Sequence, residues 1–209
     1  MLDRAAVALI RPVVNRLAAV LHSRGTSANA ITLAGFATGL VAAYLIAGHA
    51  FLLGASAIIA SRILDALDGA VARLATPTDA GGFLDITFDF LFYASIPLAF
   101  ALADPPRNAL PAAVLLAAFI GTGSSFLAFA ALAAKRGLRN TAYPGKSFYF
   151  LGGLTEATET LVCLLAMCVW PQFFPQLAYG FSVLCVLTII TRIVGGFLIL
   201  NRSPPAEKP

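Results

Sequence analysis

The chain has 209 residues, 59% hydrophobic and 11% charged, with a net charge of +4 and a mean hydropathy of +0.87. This composition excludes a soluble domain and predicts one polytopic helix bundle, with no room for a separate soluble unit and no nucleic-acid partner. The cysteines Cys163, Cys168 and Cys185 lie in apolar runs without metal-ligand spacing, so buried packing is their expected role.

Residues 1–23 read as an amphipathic helix lying in the membrane interface. Arg4, Arg11, Asn15 and His22 recur at near-helical spacing beside Arg16, and Leu2, Leu9, Ile10, Val13, Leu17 and Leu21 cover the other side. No small-residue cleavage site follows, so a signal peptide is not expected. An ordinary cytosolic cap helix is the alternative. Ser27 or Asn29 then opens the first span as its cap.

Six apolar stretches are each near the ~20 residues a bilayer requires. They cover 29–48, 51–74, 82–103, 109–134, 147–170 and 174–200. The predicted fold is therefore all-α: six transmembrane helices within a membrane domain over 24–202, preceded by the interfacial helix. The tail 203–209, Ser-Pro-Pro-Ala-Glu-Lys-Pro, reads as disordered. Gly35-x3-Gly39 in the first span permits close helix packing but is a weak motif for the homodimer that we carry as an expectation.

The chemistry concentrates in residues 65–89. Asp65 and Asp68 are three apart, and Asp85 and Asp89 four apart, so each pair shares a helix face. A break over 76–82 separates them. Two antiparallel helices joined there bring both pairs to similar depth, the deepest carboxylates roughly 12 Å from the loop. Four carboxylates in an apolar setting require cations, since burying one unpaired charge costs several kcal/mol, on the order of a whole fold's margin. Oxygen-only ligands suit Mg²⁺, Mn²⁺ or Ca²⁺, and two such ions form a clamp for phosphoryl chemistry. The plainer alternative pairs the acids with Arg62 and Arg73.

Lys and Arg set the orientation. Arg4, Arg11, Arg16, Arg24, Arg73, Lys135, Arg136, Arg139, Lys146, Arg202 and Lys208 collect at one set of ends, and only Arg107 at the other. By the positive-inside rule both termini, the 75–81 loop and the 135–146 loop face the cytoplasm, and so does the carboxylate cluster.

Asp65-x2-Asp68-Gly69-x2-Ala72-Arg73, a spacer, then Gly81-x3-Asp85-x3-Asp89 resembles the signature of the CDP-alcohol phosphatidyltransferase family. One departure is the spacer: 74–80 has seven residues where the family usually has eight. Taking Gly82 instead restores eight but spoils the Gly-x3-Asp spacing, so Gly81 is preferred. Asn29, Ile31 and Thr32 match a further family stretch, with Ala28 in place of its proline. Met1-Leu-Asp-Arg4, the run 119–130 and the run 146–156 resemble small bacterial inner-membrane members, and the likeness covers nearly the whole chain.

The resemblance implies transfer of a phosphatidyl group from CDP-diacylglycerol to a small alcohol acceptor, with CMP leaving, in phospholipid synthesis. It implies two divalent cations, Mg²⁺ or Mn²⁺. Asp65, Asp68 and Asp85 would hold metal, and Asp89 would contact the second ion and act as general base. Gly69 and Ala72 would keep a low wall for the nucleotide, Arg73 would pair with the diphosphate, and Asn29 and Gly81 would lie beside it.

The acceptor is less determined. Lys135, Arg139 and Lys146, with Arg192 inside the sixth span, suit a phosphate ester such as glycerol 3-phosphate; plain positive-inside topology is the alternative for the loop residues. In 155–160, five of six residues are polar. Glu156 and Glu159 share a helix face near mid-membrane and suit a neutral polyol, or pair with Arg62 and Arg192. A membrane prenyltransferase and a cation transporter are weaker rivals: the first lacks Asp-Gly-x2-Ala-Arg, and the second needs polar residues continuing to the outer side.

Overall fold

The computed structural model describes the backbone of residues 2–137 and 155–202, with side chains over 11–137 and 155–201. Among the described residues the chain is all-α, with seven helices: α1 (Leu2–Ser23), α2 (Ala28–Ala47), α3 (Phe51–Leu74), α4 (Asp79–Ala103), α5 (Pro105–Lys135), α6 (Ala157–Val169) and α7 (Phe174–Arg202). Residues 203–209 lie outside the described residues.

Local chemistry sets several boundaries. Gly25, at φ +77, turns the chain between α1 and α2. Ser27 Oγ then accepts from Ala30 N at 3.3 Å, so Ser27 rather than Asn29 caps α2. Thr78 caps α4 by accepting from Gly81 N at 3.1 Å. Asp104 caps α5, with proline as its first residue.

Four stretches, Ala28–Ala47, Asp79–Ala103, Pro105–Lys135 and Pro171–Asn201, are long and apolar enough to cross a membrane. Large apolar side chains point outward, among them Leu40, Val41, Leu52, Leu53, Ile193 and Phe197. An outer surface this apolar suits hydrocarbon rather than water. The chain is an integral membrane protein.

Helix α2 is the wedge of the bundle. It packs on α3 and on α4, while the backbones of α3 and α4, though joined by a short loop, stay apart and meet mainly through side chains. The expected hairpin is therefore splayed, and a cleft opens between its carboxylate-bearing faces. Small residues allow the wedge: a Cβ on Gly39 would stand 2.6 Å from Phe92 Cδ2, and one on Gly35 would stand 3.3 Å from Leu64 Cβ. The Gly35-x3-Gly39 stripe thus serves packing within the chain and is not a free dimer surface. At the far end of α3 and α4, Phe51, Phe100 and Phe174 stack in series, with centroids 5.6 and 4.5 Å apart. Helix α1 closes the carboxylate end by seating Ala18 against Leu67, Ala70 and Val71.

The expected helix over 147–170 needs correction. The described part begins at Ala157, and Glu156 is the cap residue before it. Glu156 and Glu159 form a reciprocal capping box, Glu156 N donating to Glu159 Oε2 at 3.2 Å. They mark a helix start, not the middle of a continuous span. With 13 residues, α6 is roughly 20 Å long.

Candidate active site

Asp65, Asp68 and Asp85 each bring a carboxylate oxygen within 4.8 Å of the others. One helical turn separates Asp65 from Asp68 on α3, and Asp85 faces them from α4 across the splay. Asp68 is buried at 4% exposure, and its Oδ2 has no hydrogen-bond partner among the described residues. A buried carboxylate oxygen left unmatched among like charges is costly. A cation is what relieves both costs together, and three oxygens of this kind suit a hard divalent ion. The residues present fit such an ion.

Asp89 behaves differently. Its Oδ1 receives Arg62 Nη1 at 2.5 Å, and the same nitrogen stands 3.5 Å from Asp65 Oδ1. The plainer reading of the sequence, pairing with Arg62, thus holds for Asp89 and in part for Asp65. Asp65, Asp85, Asp89 and Arg62 line a small cleft open to the surface, walled by Thr32, Gly35, Phe36 and Phe88. Phe36 and Phe88 stack at 4.4 Å across α2 and α4.

The other motif residues collect at the loop end of this cleft. Asn29 Oδ1 lies 3.1 Å from where a Cβ on Gly81 would stand, and Thr78 Oγ1 3.2 Å, whereas a Cβ on Gly82 would meet nothing within 4 Å. Gly81 is therefore the crowded glycine, although the spacer before it is short. Among the described residues a Cβ on Gly69 would meet only Arg73 Nη1, at 3.3 Å. Exposed Arg73 reaches back over Gly69, and Ala72 beside it is half-buried.

The acceptor candidates do not form one group among the described residues. Lys135 is exposed at the end of α5, and Arg139 and Lys146 lie outside the described residues. Arg192 is buried at 8% exposure and donates from Nη1 to Thr122 O at 3.0 Å. Glu156 lies within its electrostatic reach. Thr188 Oγ1 accepts from Thr155 N at 3.1 Å and bonds Thr155 Oγ1 at 2.9 Å. Glu159 is tied into the capping box.

The model of CDP-alcohol phosphatidyltransferases matches residues 25–194. The chain belongs to this family. It is an enzyme of that type, a membrane transferase. The inner membrane protein YnjF of Escherichia coli is 50% identical over 201 residues, covering 96% of this chain and 98% of its own. Archaetidylinositol phosphate synthase of Pyrococcus horikoshii is 31% identical, covering 80% of this chain and 92% of its own. The phosphatidylinositol phosphate synthase PgsA1 of Mycobacterium tuberculosis shares the fold, solved with CDP-DAG bound (TM-score 0.69, 22% identity, 95% of this chain and 98% of that one). It was also solved with manganese and citrate (TM-score 0.70, 21% identity, 94% and 92%).

For this transferase the motif carried the carboxylates, but several residues that hold the site escaped it. Ser61 donates to Gly35 O at 2.8 Å and accepts from Arg62 Nη2 at 3.3 Å. The Arg62 guanidinium carbon stands 3.9 Å over the Phe92 ring. Ser61 and Phe92 look like ordinary span residues in sequence; only the wedge of α2 brings them to the site.

Proposed function

We propose that the cleft transfers a phosphatidyl group from CDP-diacylglycerol to a phosphorylated small alcohol, with glycerol 3-phosphate the leading candidate, and releases CMP. The observation that carries it is the three-carboxylate cluster with its unmatched Asp68 oxygen. Asp65, Asp68 and Asp85 would hold divalent cations, Mg²⁺ or Mn²⁺, in keeping with the manganese bound by PgsA1. When bound, such ions neutralise the diphosphate and the charge that grows on departing CMP.

The chain's own residues do the rest. Gly69 leaves the wall low enough for the cytidine diphosphate to approach, and Arg73, reaching back over it, pairs with a diphosphate oxygen. Asn29 and Gly81 bound the same edge. Asp89 lines the cleft with its side chain 38% exposed; it takes the proton of the acceptor hydroxyl and would contact the second ion. The acceptor oxygen forms its bond to the lipid-side phosphorus as the bond from that phosphorus to CMP breaks. CDP-DAG bound to PgsA1 supports the lipid donor, and the name of the Pyrococcus relative supports a phosphate-bearing acceptor.

Lys135, Arg139, Lys146 and Arg192 are the proposed phosphate contacts. An unphosphorylated polyol, held by Glu156 and Glu159, is the weaker reading, because the capping box already occupies both. We further propose six spans formed by α2 to α7, with α1 lying in the interface. Both termini and the site face the cytoplasm of a bacterial inner membrane. The test is CMP release from CDP-diacylglycerol and Mn²⁺ by purified protein against glycerol 3-phosphate, inositol 1-phosphate, serine, glycerol and buffer. Release with a phosphorylated alcohol alone is expected; release with glycerol alone moves the acceptor contacts to the glutamates.

A further inference from the structure

We infer that Arg62 is a positioning residue: it holds Asp89 out of the Asp65, Asp68 and Asp85 cluster, so that only three carboxylates are open to cations before the nucleotide arrives. The inference rests on the reading that the cluster binds divalent cations. Nothing in α4 itself separates Asp89 from the cluster, since it follows Asp85 by one turn on the same face. Arg62 makes the difference. Its Nη1 takes Asp89 Oδ1 at 2.5 Å and reaches Asp65 Oδ1 only at 3.5 Å.

The guanidinium is itself built in place. Phe92, fully buried, carries it at 3.9 Å, and Ser61 fixes Nη2 at 3.3 Å while anchoring to Gly35 O at 2.8 Å. The arginine side chain is only 12% exposed. A long cation held by a ring, a hydroxyl and a carboxylate does not swing freely. Two consequences follow for cations at the cluster: a fixed positive charge stands nearby, and a fourth carboxylate is withheld. Both weaken binding of a divalent ion in the absence of nucleotide. Removing Arg62 therefore tightens binding, whereas a residue that merely supported the fold would loosen the cluster and weaken binding.

The test is Mn²⁺ binding to the purified full chain in detergent, without nucleotide, followed by the electron paramagnetic resonance signal of free Mn²⁺, with the Tm of each variant alongside. Arg62→Gln is expected to bind Mn²⁺ about tenfold tighter, and Arg62→Lys, which keeps the charge, to stay near wild type. Arg62→Gln with Asp89→Asn is expected to lose most of the gain. Asp89→Asn alone is expected to weaken Mn²⁺ binding by about threefold at most, because it unmasks the Arg62 charge but removes no ligand, which keeps the test decisive if Arg62→Gln fails to fold. Unchanged or weaker binding in folded Arg62→Gln, a gain that survives Asp89→Asn, or a large loss in Asp89→Asn alone overturns the inference. Asp68→Asn separates the two readings. If wild type binds Mn²⁺ and Asp68→Asn does not, the cation site stands whatever Arg62 does; if wild type binds none, both fall.

Discussion

Between α5, α6 and α7 the buried Thr155, Thr188 and Arg192 are bonded within the chain, while between α2, α3 and α4 a cluster of carboxylates is left partly unmatched. In the first region Thr155 and Thr188 bond each other, Arg192 reaches Thr122 O, and Glu156 and Glu159 cap a helix. In the second, three carboxylates converge and a buried oxygen of Asp68 has no partner among the described residues. Both regions look alike in sequence, as polar residues interrupting apolar spans. Inside a membrane, polar groups matched by the chain itself are architecture, and like charges left unmatched are a place for something the chain does not contain.

The comparison breaks most visibly on removal of metal. EDTA is expected to abolish CMP release, and added Mg²⁺ or Mn²⁺ to restore it; turnover indifferent to chelator would make the carboxylates structural after all. Next in size is Gly69→Leu. It is expected to raise the KM for CDP-diacylglycerol about a hundredfold or more while Tm stays near wild type, because among the described residues the only atom near that Cβ is the far end of the flexible Arg73 side chain. An unchanged KM would move the nucleotide elsewhere.

The second region sharpens the contrast. Arg192→Ala is expected to raise the KM of a phosphorylated acceptor about tenfold, with the KM for CDP-diacylglycerol unaffected. A fall in Tm with no change in either KM would return Arg192 wholly to architecture. The smallest effect belongs to Thr188→Val, which leaves the Thr155 N–H without its acceptor. It is expected to cost about 1 kcal/mol of stability, read as a lower Tm in detergent with kcat intact.

The site was legible where its geometry is local. Spacings of three and four place Asp65 with Asp68 and Asp85 with Asp89 without any knowledge of the fold, and the Gly69 and Arg73 positions follow along the same turns. What escaped depends on contacts distant in the chain. The wedge of α2 keeps α3 and α4 apart, and that separation leaves Asp89 to Arg62, 27 positions away. Ser61 and Phe92 acquire roles only through that geometry. The α6 boundary was different, because the signal was present and overruled. Glu156 and Glu159 stand at capping-box spacing, but a long apolar run around them reads as one span, where paired acids suit either an acceptor or an ion pair with Arg62 and Arg192 rather than a cap.

The Asp68 oxygen is the centre of the proposed cation site, so the most direct measurement is CMP release by Asp68→Asn beside wild type, at matched Mn²⁺ and CDP-diacylglycerol. Asparagine keeps the shape and removes the charge. The account predicts a loss of roughly a hundred- to a thousandfold in rate, with Tm unchanged or higher because one buried repulsion is gone. Activity near wild type in folded Asp68→Asn would contradict it.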